Sequence, residues 1–454
     1  MKEFDYIIIG SGQAGIPLAF SLSKEGKVAV IEKSFLGGTC VNNGCIPTKA
    51  YVASARRVWD AFHGDELGVE IPQGTKANLK KIKARKEELV NESRSNIEKA
   101  IERDKNITVY KGQAHFLSNY EVKVGETTLT AKKIFINVGA RAVVPKEYQE
   151  VPFYTNENIL EITDLPEHLI IIGGSYIGLE FAQIFRRFGS EVTIIERNEQ
   201  LINKEDETVT DVVAEIMKSE GINLVFNARE ITTSQDNKGA VIVTIGNKKI
   251  KGSHLLLAIG RAPNTDTLKL ENTAIKLDKK NYIKVNNYCQ TNVDGVFAIG
   301  DCNGKGAFTH TSYHDFQIVE SFLFKDKKRK ISDRITAYGL FIDPPLGRIG
   351  MTKKEALEKG YEILVGYRPM TKVNRAKEKA ETEGFMEAVI DAKTNLFLGA
   401  CILGVGGDEI INGITNLMYA KKPYTVLRDS IHIHPTVSEL IPTMLQDLKA
   451  INKN

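Results

Sequence analysis

Asp5-Tyr6-Ile7-Ile8-Ile9-Gly10-Ser11-Gly12-Gln13-Ala14-Gly15 runs four apolar residues into a Gly-x-Gly-x-x-Gly turn, and its reading decides the fold. The apolar run predicts a buried parallel strand, and a helix through Lys24 follows the turn. Gly10 permits the tight bend, Gly12 lets the backbone approach a pyrophosphate, and Gly15 lets helix pack on strand. Pro17 falls in the first helical turn and Gly26 is placed to stop the helix. The next strand, Lys27 to Ile31, ends at Glu32, about twenty residues past the glycines, where a ribose-hydroxyl acceptor belongs. Strand, turn, helix, strand and acid in that order predict a Rossmann-like dinucleotide-binding unit.

The same unit recurs. His168 to Ile172 leads into Gly173-Gly174-Ser175-Tyr176-Ile177-Gly178, a helix to Phe188, a stop at Gly189, and a strand from Glu191 to Ile195 that ends at Glu196. Ser175 occupies the middle glycine position, a departure that a small side chain tolerates. Glu196 should hydrogen-bond an adenosine ribose and repel a 2′-phosphate, which favours NADH; the adjacent Arg197 leaves NADPH open.

Between the two units lies Gly37-Gly38-Thr39-Cys40-Val41-Asn42-Asn43-Gly44-Cys45-Ile46-Pro47-Thr48-Lys49. Two cysteines four residues apart do not match zinc spacing, and Cys289, Cys302 and Cys401 stand alone, so no metal site is expected. Gly44 supplies the bend a Cys40–Cys45 bridge requires, and Pro47 starts a helix. Such a small, reducible bridge suits catalysis better than stapling, the bland alternative being two thiols that merely pack.

The chain resembles the class I flavoprotein disulfide reductases, which include lipoamide dehydrogenase, glutathione reductase and mercuric reductase. The resemblance covers essentially its whole length. It rests on Gly10 to Gly15, the Cys40/Cys45 segment, Gly173 to Glu180, Ala258-Ile259-Gly260-Arg261-Ala262-Pro263-Asn264, Val296-Phe297-Ala298-Ile299-Gly300-Asp301 and His434-Pro435-Thr436-Val437-Ser438-Glu439, in this order. It implies an α/β chain of two Rossmann-like domains, for FAD and NAD(P), and a C-terminal α+β dimerisation domain. The expected boundaries are 1–145 with 262–334 for the split FAD domain, 146–261 for the NAD(P) domain and 335–454 for the interface domain. By the same resemblance Gly139 and Asp301 contact FAD, Asp301 at the ribityl chain, and Lys49 lies near the flavin N5, paired with Glu180. His434, kept basic by Glu439, would reach across a homodimer to the cysteines of the other subunit.

A relay follows from these roles. NAD(P)H delivers hydride to the flavin, the reduced flavin opens the bridge at Cys45, and Cys40, with His434 as base, attacks a small oxidised acceptor. The cysteine segment, Phe135 to Ala140, Pro344 to Met351 and Gly406 to Glu409 are most similar to the mercuric-reductase-like and reactive-chlorine-resistance branch. A true mercuric reductase would carry a C-terminal cysteine pair, whereas the last cysteine here is Cys401 and no metal-capture domain precedes the first unit. An oxidised sulfur species, a small disulfide and a reducible metal such as Cu(II) stay open as acceptors. Dihydrolipoyl dehydrogenase, mercuric reductase, NADH oxidase or peroxidase, and a non-enzymatic flavin redox sensor are the alternatives.

Composition agrees with a globular enzyme. The chain has 454 residues, 42% of them hydrophobic, enough for two or three cores. With 61 basic and 57 acidic residues the net charge is +4, too small to imply nucleic acid. The absence of a long apolar run or signal segment predicts no membrane partner and a cytoplasmic location. Lys76 to Lys105, charged with apolar residues at helical spacing, predicts a long solvated helix. Replacing Cys40 by serine should leave FAD bound and reducible by NADH while abolishing turnover of disulfide acceptors in steady-state assay; full turnover would refute the relay.

Overall fold

The computed structural model describes residues 1–72 and 74–451; Asn452 to Asn454, the end of the expected interface domain, lie outside them. Tyr6–Ile9 is the central strand of a five-stranded parallel sheet. Val28–Glu32 and Ile107–Lys111 lie on one side of it, Lys133–Ile136 and Val296–Ala298 on the other. Ile7, Ile8, Val30, Ile134 and Phe135 are fully buried, as strands covered on both faces require. The flanking helix runs Gly15–Leu22. Gly10 has φ +100°, and a Cβ there would stand 2.3 Å from the Asn137 carbonyl oxygen, so this turn admits glycine alone.

The second unit repeats the plan. His168–Ile172 and Glu191–Ile195 pair in parallel, with Asn223–Val225 and His254–Leu257 at the edges. Ser175 has φ −108° and ψ −172°, ordinary extended backbone, which is how the turn accepts a side chain where the motif has glycine. The helix Tyr176–Phe188 is buried nearly all round because it packs on its own sheet and on the helix Cys45–Phe62. The lysine-rich segment forms the helix Leu79–Glu102, packed on Cys45–Phe62, with Lys86 buried and paired to Glu161.

The C-terminal part is a six-stranded antiparallel sheet. Its order is Ala337–Leu340, Leu346–Gly350, Phe397–Leu403, Phe385–Asp391, Ile363–Pro369 and Lys449–Ile451, with the helix Gly407–Tyr419 on one face. One apolar cluster joins all three parts: Tyr51 and Ala55, Phe181 and Phe185, and Leu340, Leu346, Phe385 and Leu403 belong to it. No helix among the described residues is long and apolar enough to cross a membrane.

A buried ion network reinforces this junction. Arg187 donates to both carboxylate oxygens of Glu220, at 2.9 and 2.7 Å, and pairs with Asp343, which also receives Arg56. Arg187 and Glu220 are almost wholly excluded from solvent. Removing one partner of such a pair costs about 3–5 kcal/mol, since the stranded charges stay buried. Arg187→Met should therefore lower the unfolding free energy by about that much in chemical denaturation; a loss under about 1 kcal/mol would show the network to be energetically idle.

Candidate active site

Both glycine turns open on one cleft of about 1950 Å³. Gly10, Gly12 and Glu32 line one end, Gly173 and Glu196 the other, and Cys40, Cys45, Lys49, Gly139, Glu180 and Asp301 the stretch between. Gly15 and Gly178 sit behind their turns, where a Cβ would strike the carbonyl oxygens of Gly10 at 2.4 Å and Gly173 at 2.0 Å.

The two strand-end acids are anchored alike. Glu32 accepts from the Ser11 N–H and hydroxyl at 3.0 and 2.7 Å and from the Ser34 N–H at 2.9 Å. Glu196 accepts from the Gly174 N–H at 2.7 Å and from the Asn198 N–H and side-chain amide at 2.9 and 2.6 Å. Each carboxylate is thereby held at the mouth of its turn. Arg197 is exposed.

Asp301 lies where the strand Val296–Ala298 returns to the first turn. Burial, foremost, pushes its carboxyl above the ordinary value, against the opposing pull of Arg261 at 3.3 Å. Arg261 lines the cleft, and its Nε is buried without a hydrogen-bond partner. At the first turn, a Cβ on Gly38 would lie 2.8 Å from the Gly12 Cα, so two backbone segments meet there with no side chain between them. A long, glycine-floored cleft with an acid at each end and an unpaired guanidinium donor fits an extended dinucleotide such as FAD at the first turn and a nicotinamide nucleotide at the second.

Three supporting residues escaped the motif reading. Asn137, buried at the end of Lys133–Ile136, accepts from the Gly15 N–H at 2.9 Å and donates to the Ile299 carbonyl at 2.9 Å, tying the first turn to the returning strand. Its signal was a polar side chain inside the apolar run Phe135 to Val138. Asp315 accepts from the Gly300 N–H at 2.8 Å and pairs with Arg334, fixing the bend before Asp301. Thr309, the first residue of the helix Thr309–Phe324, places its hydroxyl 3.2 Å from the Cys45 sulfur.

Cys40 belongs to a short helical turn, Gly38–Asn42, and Cys45 opens the helix Cys45–Phe62, with Gly44 making the bend between them. Both are free thiols here, the reduced form of a redox pair. They differ sharply in acidity. Cys45 is pulled down to about 6, foremost by the hydrogen bond from Cys40; burial opposes this, and the Thr309 hydroxyl and Lys49 ammonium assist. Its place at a helix N-terminus favours the thiolate in the same sense. Cys40 is pushed up, foremost by that same hydrogen bond and then by burial. The contact between them thus favours the proton on Cys40 and the anion on Cys45.

Lys49 Nζ lies 2.7 Å from Glu180 Oε2, joining the redox helix to the second-module helix. His434 and Glu439 do not reach this cleft. Their contact is present, with His434 Nδ1 2.8 and 3.1 Å from the Glu439 oxygens, but the imidazole is 75% exposed, beside the exposed Ile431 and Ile433. The histidine that does line the cleft, His310, has Nε2 2.7 Å from the Ala337 carbonyl oxygen and so carries its proton there. His432 Nε2 lies 3.2 Å from the Leu427 carbonyl oxygen, away from the thiols. Among the described residues no group of three or more His, Cys, Asp or Glu is placed to hold a metal ion.

Comparison with known proteins agrees with this architecture. Residues 4–315 match the pyridine nucleotide-disulphide oxidoreductase family model, and residues 336–445 match the dimerisation domain of that family. The chain is 36% identical over 460 aligned positions to the probable pyridine nucleotide-disulfide oxidoreductase RclA of Escherichia coli strain K12, covering 99% of this chain and 100% of that one. It is 30% identical to a mercuric reductase of Staphylococcus aureus, covering 96% of this chain and 81% of the relative. The solved Cu(II) complex of the HOCl-induced flavoprotein disulfide reductase RclA from Escherichia coli superposes with a TM-score of 0.89 at 35% identity, over 98% of this chain and 99% of that one.

The unequal thiols give a pH signature. Because the Cys45 value is depressed, its thiolate is present above about pH 6 and lost as the pH falls through it. Alkylation by iodoacetamide, mapped by mass spectrometry, should label Cys45 with a midpoint near 6 and leave Cys40 slow across the neutral range. Equal labelling of both at pH 7 would contradict the asymmetry.

Proposed function

The chain belongs to the pyridine nucleotide-disulphide oxidoreductase family, and from that premise we propose that Cys40 and Cys45 pass electrons from NADH to a small oxidised sulfur compound or to Cu(II). Members of the family are flavoenzymes that use a pyridine nucleotide, and the match to the family's dimerisation domain supports a homodimer. FAD, when bound, supplies a two-electron carrier between nucleotide and thiols. In this reading Gly10, Gly12, Gly15, Glu32, Gly139 and Asp301 hold FAD, and Gly173, Gly178 and Glu196 hold the nucleotide. The split boundaries 1–145 with 262–334, 146–261 and 335 onward belong to the same proposal.

One observation carries the reading. Cys40, Cys45, the Glu196-anchored turn and the Lys49–Glu180 ion pair all line the same cleft. In the reduced pair Cys45 is held as the thiolate at its end of the cleft. Cys40 keeps its proton and needs a base before it can attack. Of the same chain's histidines, His310 lines the cleft with its Nε2–H donated to the Ala337 carbonyl, and His434 stands outside. The partner subunit's His434, oriented by its glutamate, takes the Cys40 proton in this account.

With a disulfide acceptor, the Cys40 thiolate attacks one sulfur and the first thiol leaves with the proton from histidine. Cys45 then attacks the Cys40 sulfur, closing the bridge and releasing the second thiol. With Cu(II), the dithiol gives one electron to each of two ions and becomes the disulfide. The relation to RclA, solved as a Cu(II) complex and described as HOCl-induced, supports acceptors of this kind. Mercury is disfavoured, since Cys401 is fully buried in the C-terminal sheet and no later cysteine follows. Five cysteines, with one closely spaced pair, accord with a reducing compartment, and the cytoplasm is the proposed location.

NADH is the proposed donor because Glu196 is locked by three donors and cannot swing from a 2′-phosphate, while Arg197 stands in solvent. Glu196→Ala should lower the NADH-to-NADPH ratio of kcat/KM roughly tenfold or more, the size of a lost charge-assisted contact; an unchanged ratio would refute the role. Steady-state oxidation of NADH by the FAD-loaded protein against lipoamide, glutathione disulfide, hypothiocyanite, Cu(II), Hg(II) and oxygen alone tests the acceptor. Turnover with hypothiocyanite or Cu(II) is expected. Turnover with lipoamide alone would make the protein a dihydrolipoyl dehydrogenase, and a single reduction followed by a stall would make it a sensor.

A further inference from the structure

The segment Tyr338 to Asp343 of the dimerisation domain runs along the second-module helix Tyr176–Phe188. The Asp343 N–H donates to Gln183 Oε1 at 2.7 Å, the Gln183 amide donates back to the Asp343 carbonyl at 2.8 Å, and the Asp343 carboxylate pairs with Arg187. One turn nearer the cleft, the Phe341 N–H donates to Glu180 Oε1 at 3.1 Å. Glu180, Gln183 and Arg187 lie three and four residues apart and so share one face of the helix. This strip fixes where Glu180 stands.

Phe341 makes a second, independent contact with the same ion pair. Its ring centroid is 4.4 Å from Lys49 Nζ, and the residue lines the cleft. Glu180 Oε2 takes the ammonium while Glu180 Oε1 takes the Phe341 N–H. Lys49 thus lies between a carboxylate and an aromatic face, with both partners set by one residue of the dimerisation domain.

We propose that Phe341 is a positioning residue for the nucleotide side of the site: its backbone orients Glu180 and its ring fixes the Lys49 ammonium. The dimerisation domain then serves the same chain's ion pair as well as the partner's thiols. The inference rests on the role given above to Lys49 and Glu180. An ammonium over an aromatic face contributes about 0.5–2 kcal/mol, which converts to roughly a 3- to 30-fold change in a rate that depends on its placement.

The test uses the FAD-loaded dimer. Flavin reduction by NADH is followed anaerobically in stopped flow for Phe341→Leu, Lys49→Met and the double variant, and the rate of Lys49 acylation is mapped by mass spectrometry in wild type and Phe341→Leu. Phe341→Leu should reduce roughly 3- to 30-fold more slowly and acylate faster at Lys49, and the double variant should be no slower than Lys49→Met. Wild-type reduction and acylation in Phe341→Leu, or an equal slowing on both backgrounds, would overturn the inference. Wild-type reduction in Lys49→Met would overturn the underlying reading of the ion pair, and the inference with it. If the leucine variant does not fold, progressively fluorinated phenylalanines at position 341 weaken the aromatic face without changing its shape. Reduction should then slow stepwise with fluorine count, and a flat series would refute the proposal.

Discussion

The packing of the helix Tyr176–Phe188 against the helix Cys45–Phe62 is the contact on which the site depends. One helix begins at the second glycine turn and the other begins at Cys45, so the crossing sets the distance between nucleotide and thiols. Phe181, Phe185 and Tyr51 bury its apolar part, and Lys49–Glu180 closes it at the cleft. The Arg187, Glu220, Asp343 and Arg56 network locks its far end to the C-terminal domain. Each of these charged groups would be costly to bury alone, which makes the crossing specific as well as stable.

Within that frame the two cysteines acquire different chemistry from their places on the backbone. Cys45 heads a helix, faces Lys49 and receives a hydrogen bond from Cys40, and every one of these contacts favours its anion. Cys40 provides that hydrogen bond and is partly buried, so it keeps its proton. The two thiols are thereby unequal, the anion favoured on Cys45 and the proton on Cys40.

Much of this was legible in the chain because glycine turns, apolar strands and strand-end acids are local signals. His168–Ile172 and Glu191–Ile195 have the boundaries read from their β-branched runs. The strands Ile363–Pro369 and Lys449–Ile451 were not legible, since proline, glycine and edge exposure blur their alternation. Asp315 and Phe341 were invisible for a different reason: each acts across more than ten residues of sequence, and only the tertiary fold discloses its partner. The helical stretch Leu79–Glu102 was readable as amphipathic, yet the burial of Lys86 against Glu161 was not.

In the single chain His434 stands outside the cleft that holds the thiol pair. The pair His434–Glu439 is assembled and oriented on a face that also exposes Ile431 and Ile433, a surface suited to meeting a second copy. The most direct measurement mixes subunits carrying Cys45→Ala with subunits carrying His434→Ala, each inactive as a homodimer, under conditions where they exchange. A site shared between subunits predicts that each heterodimer regains one intact pairing and up to half of the wild-type disulfide-reducing rate. Heterodimers that form yet stay inactive would contradict the shared site and the relay built on it.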